Sequence, residues 1–179
     1  MVGRAFSRTC TAVLFLFVFF LTEAAPARAG GSQTSTVVIT ASIPPSCTIG
    51  TAAIAFAPYD PVNTHATVPD DQSGDIVIRC TKGASGITIG LGNGASNAGN
   101  QRRMVNAADP SSTLSYEIFQ EPTRITIWGP GDGGQLRSGS DLSGTGSNVV
   151  VTMYGRIPPR QLQASAGTYN DTLVSTILF

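Results

Sequence analysis

Val37-Val38-Ile39-Thr40-Ala41-Ser42-Ile43, closed off by Pro44-Pro45-Ser46-Cys47, is the stretch on which the fold turns. Alternation with period two puts Val37, Ile39, Ala41 and Ile43 on one apolar face. Val38, Thr40 and Ser42 fall on a second, mostly small or polar face, the pattern of a half-buried β-strand. A strand placed ahead of a cysteine-anchored body has two uses. It can pair with its own sheet as an ordinary edge strand, or reach into a second molecule and complete that one's sheet.

What precedes the strand reads as an export signal over residues 1–29. Arg4 and Arg8 supply a positive start, Ala12–Leu21 is an apolar run, and Ala27-Arg28-Ala29 offers small residues for cleavage before Gly30. The apolar run is too short to span a bilayer, so no membrane insertion is expected. Three domain assignments follow: residues 1–29 as signal peptide, 30–46 as an N-terminal extension carrying the strand, and 47–179 as one folded domain. The exported chain keeps eight basic and ten acidic side chains, a net charge of −2. With no basic block interleaved with aromatics, nucleic acid is not an expected partner.

Cys10 falls within the signal, which leaves Cys47 and Cys80. Two cysteines in an exported chain most simply form one disulfide. By chain-entropy arithmetic the loop between them would contribute about 4 kcal/mol. Two lone cysteines without a nearby His or third Cys make a poor metal site, and no cofactor is expected.

Nothing in the pattern reads as a helix. The 20 glycines and 11 prolines split the apolar residues into short runs, which points to an all-β sandwich or barrel. Strands are predicted at Val37–Ile43, Thr48–Phe56, Gly74–Cys80, Ile87–Leu91, Leu114–Gln120, Arg124–Trp128, Asn148–Ile157 and Thr168–Phe179. In the last of these, Leu173, Ile177 and Phe179 share one face while Val174 and Leu178 share the other. A strand apolar on both faces belongs in a sheet interior or beside a groove that something else fills. Read as the end of the chain, it expects a partner from outside.

Catalytic chemistry finds little footing, and no enzyme is expected. The lone His65 reads as a solvated loop residue, and no nucleophile-elbow pattern accompanies any serine. Asp70, Asp71 and Asp75 form the densest carboxylate group, but after Pro69 the first two read as turn formers. Asp132 fits no calcium-loop spacing, and the Gly90–Gly94 run has no helix after it to hold a phosphate. A secreted binding module for sugars or surfaces would use Tyr59, Tyr116, Phe119, Trp128 or Tyr154. Strand aromatics are mostly core, and Trp128, beside a glycine-rich turn, is the one expected to be exposed.

Taken in order, several segments carry a resemblance. They are Val37–Ile43 leading into Cys47-Thr48-Ile49-Gly50, then Gly74–Gly83, Leu114–Phe119, Trp128-Gly129, Tyr154–Pro158 and Gly167–Leu173. The chain resembles the subunits of archaic, Csu-type chaperone–usher pili, which carry the spore coat protein U domain. The resemblance implies an incomplete immunoglobulin-like β-sandwich, completed by donor-strand complementation. A periplasmic chaperone would lend the missing strand first, and at the outer-membrane usher another pilus subunit would replace it. On this sequence Val37, Ile39, Ala41 and Ile43 would be the donated strand. Leu173, Ile177 and Phe179 would belong to the edge strand of the acceptor groove, and Cys47 and Cys80 to the family's disulfide. Such a chain would be exported to the periplasm and displayed in a pilus or at the cell surface, supporting adhesion and biofilm formation. A spore-coat or surface-layer protein is the alternative within the family. The loops Asn93–Ala108 and Pro130–Gly146 match nothing in the resemblance.

Overall fold

Two long strands, antiparallel over ten residue pairs from Asp70↔Ile157 to Arg79↔Asn148, form the backbone of the fold. In both, alternate side chains face inward: Ile76, Ile78 and Cys80 from one, Val151, Met153 and Ile157 from the other. The computed structural model describes residues 30–129 and 135–179, so the expected signal and part of the glycine-rich turn after Trp128 lie outside it. The chain divides into a unit ending at Thr40 and a second, Ala41–Phe179, which holds every strand named below.

The strands are β1 (Cys47–Ile49), β2 (Asp70–Cys80), β3 (Thr88–Leu91), β4 (Arg102–Asn106), β5 (Thr113–Phe119), β6 (Arg137–Ser138), β7 (Asn148–Ile157), β8 (Tyr169–Asn170) and β9 (Ser175–Leu178). One sheet runs β1-β2-β7-β5-β4-β8 and the other β6-β3-β9. All pairings between named strands are antiparallel. The described residues thus form an all-β, immunoglobulin-like sandwich. Leu114, Tyr116 and Ile118 on β5 meet Ile87, Ile89, Leu91 and Leu142 in the core between the layers. The predicted disulfide is present: Cys47 and Cys80 face one another in register and tie β1 to β2.

Several expectations change. Residues 30–46 carry no strand, because a ladder needs a partner that the alternation cannot itself provide. The predicted Thr48–Phe56 strand pairs only at β1, and Thr168–Phe179 splits into β8 and β9, one in each sheet. Arg124–Trp128 reduces to single bridges, Ile127 with Phe119 and Trp128 with Gln135.

Four side chains are also placed differently from their predicted settings. Trp128 is not exposed but fully buried, its indole N–H donating to the Ile89 carbonyl at 2.8 Å. His65 is not solvated: it is buried and stacked on Tyr59. Asp70 and Asp71 are not turn residues but the first two of β2, where Asp71 takes a bidentate hydrogen bond from Arg156.

β4 was hidden because a buried arginine interrupts its apolar pattern. Arg102, 1 % exposed, pairs with Glu117 and donates to the Leu91, Gly92 and Trp128 carbonyls. It thereby joins β4 and β5 of one sheet to β3 of the other. A charge this deep is tolerated because nearly all its donors are paired.

Candidate functional site

Between residues 49–61 and 164–175 the sandwich is open. A cavity of about 560 Å³ lies between the wall Ile49–Ile54 with Phe56 and the wall Tyr169–Leu173 with Ser175. Its floor is made of buried core side chains, among them Ile76, Tyr116, Ile118 and Met153. A second cavity, of about 790 Å³, continues along Ala55–Pro61 and Ala164–Thr168 over Leu114 and Ile157. The two share Ile54, Phe56, Met104, Tyr169 and Asn170, so they form one cleft along the molecule.

The first wall is extended chain without a ladder. Beyond the Gly50 amide, which donates to the Val77 carbonyl at 2.8 Å, no backbone–backbone hydrogen bond among the described residues involves residues 51–58. Alternation turns Ile54 and Phe56 partly inward and leaves Ala53, Ala55 and Ala57 outward. Two strand glycines let this chain lie directly on the sheet. A Cβ on Gly74 would meet the Ala53 carbonyl oxygen at 2.0 Å, and one on Gly155 would meet the Phe56 ring at 2.8 Å. A glycine inside an apolar strand is a sequence signal of such close approach, and it was the available clue to this wall.

The opposite wall is bonded on one side only. The amides of Gly92, Ala95 and Ala107 donate to the carbonyls of Val174, Thr172 and Thr168, while β8 and β9 pair with β4 and β3. No pairing crosses the cleft among the described residues. Tyr169, Asp171, Leu173 and Ser175 turn inward, whereas Val174 is exposed.

Asp171 gives this wall its one inward charge. Its Oδ1 accepts from the Ala95 and Ser96 amides at 3.0 and 3.3 Å, and its Oδ2 accepts from the Tyr116 hydroxyl at 2.7 Å. Burial first, and then this carboxylate, push the Tyr116 phenol well above the ordinary tyrosine range. Asp171 also explains Gly94, where φ is +90° and a Cβ would sit 1.9 Å from Oδ2.

Of the side chains singled out from sequence, Leu173 lines the cleft and Ile177, on β9, packs against the core beyond it. Phe179 follows β9 and is 55 % exposed. Val37, Ile39 and Ile43 are 80, 90 and 82 % exposed, and Ala41 is exposed as well. These apolar side chains project into solvent from a segment with no ladder, the reverse of what a strand's apolar face does in a finished sheet. Sequence reading did not pick out Phe56, Tyr116 and Asp171 as parts of one cleft, since three separate segments contribute them. Among the described residues no group of three or more His, Cys, Asp or Glu side chains is placed to hold a metal ion.

Comparison with known proteins places this architecture. The family model described as Spore Coat Protein U domain matches residues 33–176. Protein U of Myxococcus xanthus is 35% identical over 180 residues, covering 94% of each chain. Among solved structures, the chain is similar to one in the chaperone–tip adhesion subunit pre-assembly complex (CsuC–CsuE) from archaic chaperone–usher Csu pili of Acinetobacter baumannii. The TM-score there is 0.53 at 21% identity. The match covers 76% of this chain and 40% of that one, less than half of its length, and it speaks for the fold. With the family model spanning nearly all of the described residues, the chain belongs to the Spore Coat Protein U domain family.

Proposed function

We propose that the protein is a structural subunit of a chaperone–usher fibre and polymerises by giving its N-terminal strand to the cleft of a neighbour. The observation that carries this reading is the pairing of opposites within one sequence. The cleft has an apolar floor and two walls with no pairing across it among the described residues, and the exposed Val37–Ile43 segment has an apolar face and a full set of free backbone groups. Burying Val37, Ile39 and Ile43 contributes roughly 1.5–3 kcal/mol each as an upper estimate. The ladder along both walls satisfies groups that otherwise face an open edge.

An unfilled cleft is an aggregation hazard, which is why the reading includes a periplasmic chaperone that fills it first and an outer-membrane usher where one strand replaces the other. The Acinetobacter neighbour comes from a chaperone–subunit complex, in keeping with that sequence of partners. Export to the periplasm, display in an extracellular pilus and a part in adhesion and biofilm formation complete the proposal. The family description favours one second reading, a coat or surface layer built by the same strand exchange.

The test is the oligomeric state of residues 30–179 with and without Gln33–Ile43, followed by size-exclusion chromatography and non-reducing gels. Heat-labile ladders that vanish on truncation, and that a Val37–Ile43 peptide blocks, support strand donation. A stable monomer whose N-terminal strand packs on its own sheet overturns it. Electron microscopy of the ladders separates fibres from layers.

A further inference from the structure

The second cavity ends against a turn with an unusual fastening. Its wall residues Tyr59, Asp60 and Pro61 belong to a turn running to Ala66, and the chain's single histidine closes it. His65 Nδ1 accepts a hydrogen bond from the Asp60 amide at 3.0 Å, and the His65 amide returns one to the Asp60 carbonyl at 2.7 Å. The ring stacks on Tyr59, with centroids 4.8 Å apart and planes 14° from parallel. Tyr59 in turn donates to the Pro158 carbonyl, and the Gln161 and Arg160 amides donate to the Tyr59 hydroxyl and the His65 carbonyl. The ring nitrogen is thus the one side-chain acceptor on the Asp60 amide, in a turn that also forms the end of the cleft wall.

We infer that His65 is an acid-released latch: protonating its ring breaks the Asp60–His65 hydrogen bond and loosens the turn at Asp60, where it forms the end of the cleft wall. The geometry leaves one consistent tautomer, with Nδ1 bare as the acceptor and the proton on Nε2. An imidazolium carries hydrogen on both nitrogens, so Nδ1–H and the Asp60 N–H would point at each other. The titratable and charged groups around the ring in these contacts are Tyr59 and Asp60 on the turn itself and Arg160 on the segment after β7. The Asp60 carboxylate already accepts from the Val62 and Asn63 amides and the Asn63 side chain. Acid therefore loosens the cleft at this end, while Tyr116–Asp171 and the disulfide, neither of which includes a histidine, hold elsewhere.

The latch stands on the turn's geometry alone, whereas its effect on strand uptake rests on the function proposed above. The test uses the full chain and follows the Asp60 amide by hydrogen exchange, corrected for the intrinsic rate, at about pH 7.5 and about pH 5, the span over which histidines as a class change charge. Protection in the wild type is expected to fall about tenfold on acidification, the scale of one lost hydrogen bond. His65→Asn places an amide oxygen near the Nδ1 position without a titrating group and is expected to hold protection at both values. Unchanged protection in the wild type overturns the latch, as does an undiminished acid loss in His65→Asn.

A second measurement needs no variant. The ring nitrogen shifts of His65 and the Asp60 amide shift must titrate with one midpoint, and separate midpoints overturn the latch. Uptake of a Val37–Ile43 peptide is then expected to quicken in acid in the wild type only. A latch that titrates in a protein that never takes up the peptide leaves the latch standing and overturns the strand-acceptor reading instead.

Discussion

The Tyr116 hydroxyl, on β5 in the core, donates a 2.7 Å hydrogen bond to Asp171 Oδ2 on the segment between β8 and β9. That bond ties the floor of the cleft to its wall at the point where the chain passes from one sheet to the other. Without it, Asp171 would keep only the Ala95 and Ser96 amides on its other oxygen.

Tyr116→Phe removes the donor and leaves a partly buried carboxylate oxygen unpaired. An unfolding free energy lower by about 1–3 kcal/mol is expected, read from urea midpoints. The pH dependence has a definite sign. Because Tyr116 titrates higher in the folded state than in the unfolded chain, its contribution is complete below the ordinary tyrosine value of about 10 and fades as pH rises above it. Wild type should therefore lose stability in alkali more steeply than Tyr116→Phe, which circular dichroism across that range would show.

The two strand glycines under the first wall should respond differently to one added methyl group. At Gly74 the new Cβ meets backbone, the Ala53 carbonyl at 2.0 Å, and the wall itself has to move. At Gly155 it meets the Phe56 ring and the Ile54 side chain, which can rotate. Gly74→Ala is expected to cost about 1–3 kcal/mol, and Gly155→Ala less, by denaturant unfolding. A larger loss for Gly155→Ala would mean that the wall does not lie on β2 as described.

Arg102 makes a third test, because its removal leaves Glu117 and three carbonyls without their donor. Arg102→Met is expected to lower the unfolding free energy by about 3–5 kcal/mol, and pairing it with Glu117→Gln should recover part of that loss. Full additivity of the two substitutions would argue that the ion pair contributes nothing of its own.

How far the sequence alone could be read follows from these particulars. Asn148–Ile157 was predicted with the bounds it has, because both of its faces follow a clean period of two. β4 escaped notice since its inward residues are Arg102, Met104 and Asn106, and a pattern search counts two of the three as outward. Trp128 and His65 were misplaced for a shared reason. Each sits among turn residues that favour solvent, yet each is held inward by a backbone group distant or nearby, the Ile89 carbonyl and the Asp60 amide. Of the cleft, Leu173 was legible from a strand apolar on both faces. Phe56, Tyr116 and Asp171 were not, because only the tertiary fold brings their three segments together.

On the outer face of the first sheet, Arg156 donates to Asp71 through both Nε and a terminal nitrogen, each at 2.7 Å. That hydrogen bond, ahead of the charge of Arg124, holds the Asp71 carboxyl below its usual value and holds Arg156 above its own. A depressed carboxylate contributes above the unfolded value of about 3.9 and stops contributing as pH falls through the lower folded value. Both side chains are about a third exposed, so the effect stays within about 1 kcal/mol. Asp71→Asn should lower stability at neutrality by up to about 1 kcal/mol, change little in acid, and so flatten the loss of stability below about pH 4, as urea titrations at stepped pH would show.

Cys47 faces Cys80 across β1 and β2, thirty-three positions apart in the chain, and the residues that follow β1 become the first wall of the cleft. β1 spans only 3 residues, too short to hold that wall by its ladder. The disulfide must then carry the anchoring, partly by restricting the unfolded chain. Reduction, or the Cys47→Ala/Cys80→Ala pair, is expected to lower the unfolding free energy by about 4 kcal/mol. Hydrogen exchange separates two mechanisms behind the same number. If the bridge acts only on the unfolded state, the Gly50 amide keeps its protection relative to the Ile76 amide after reduction. If it anchors the wall, as the shortness of β1 requires, Gly50 loses protection first, while β2 and β7 remain closed.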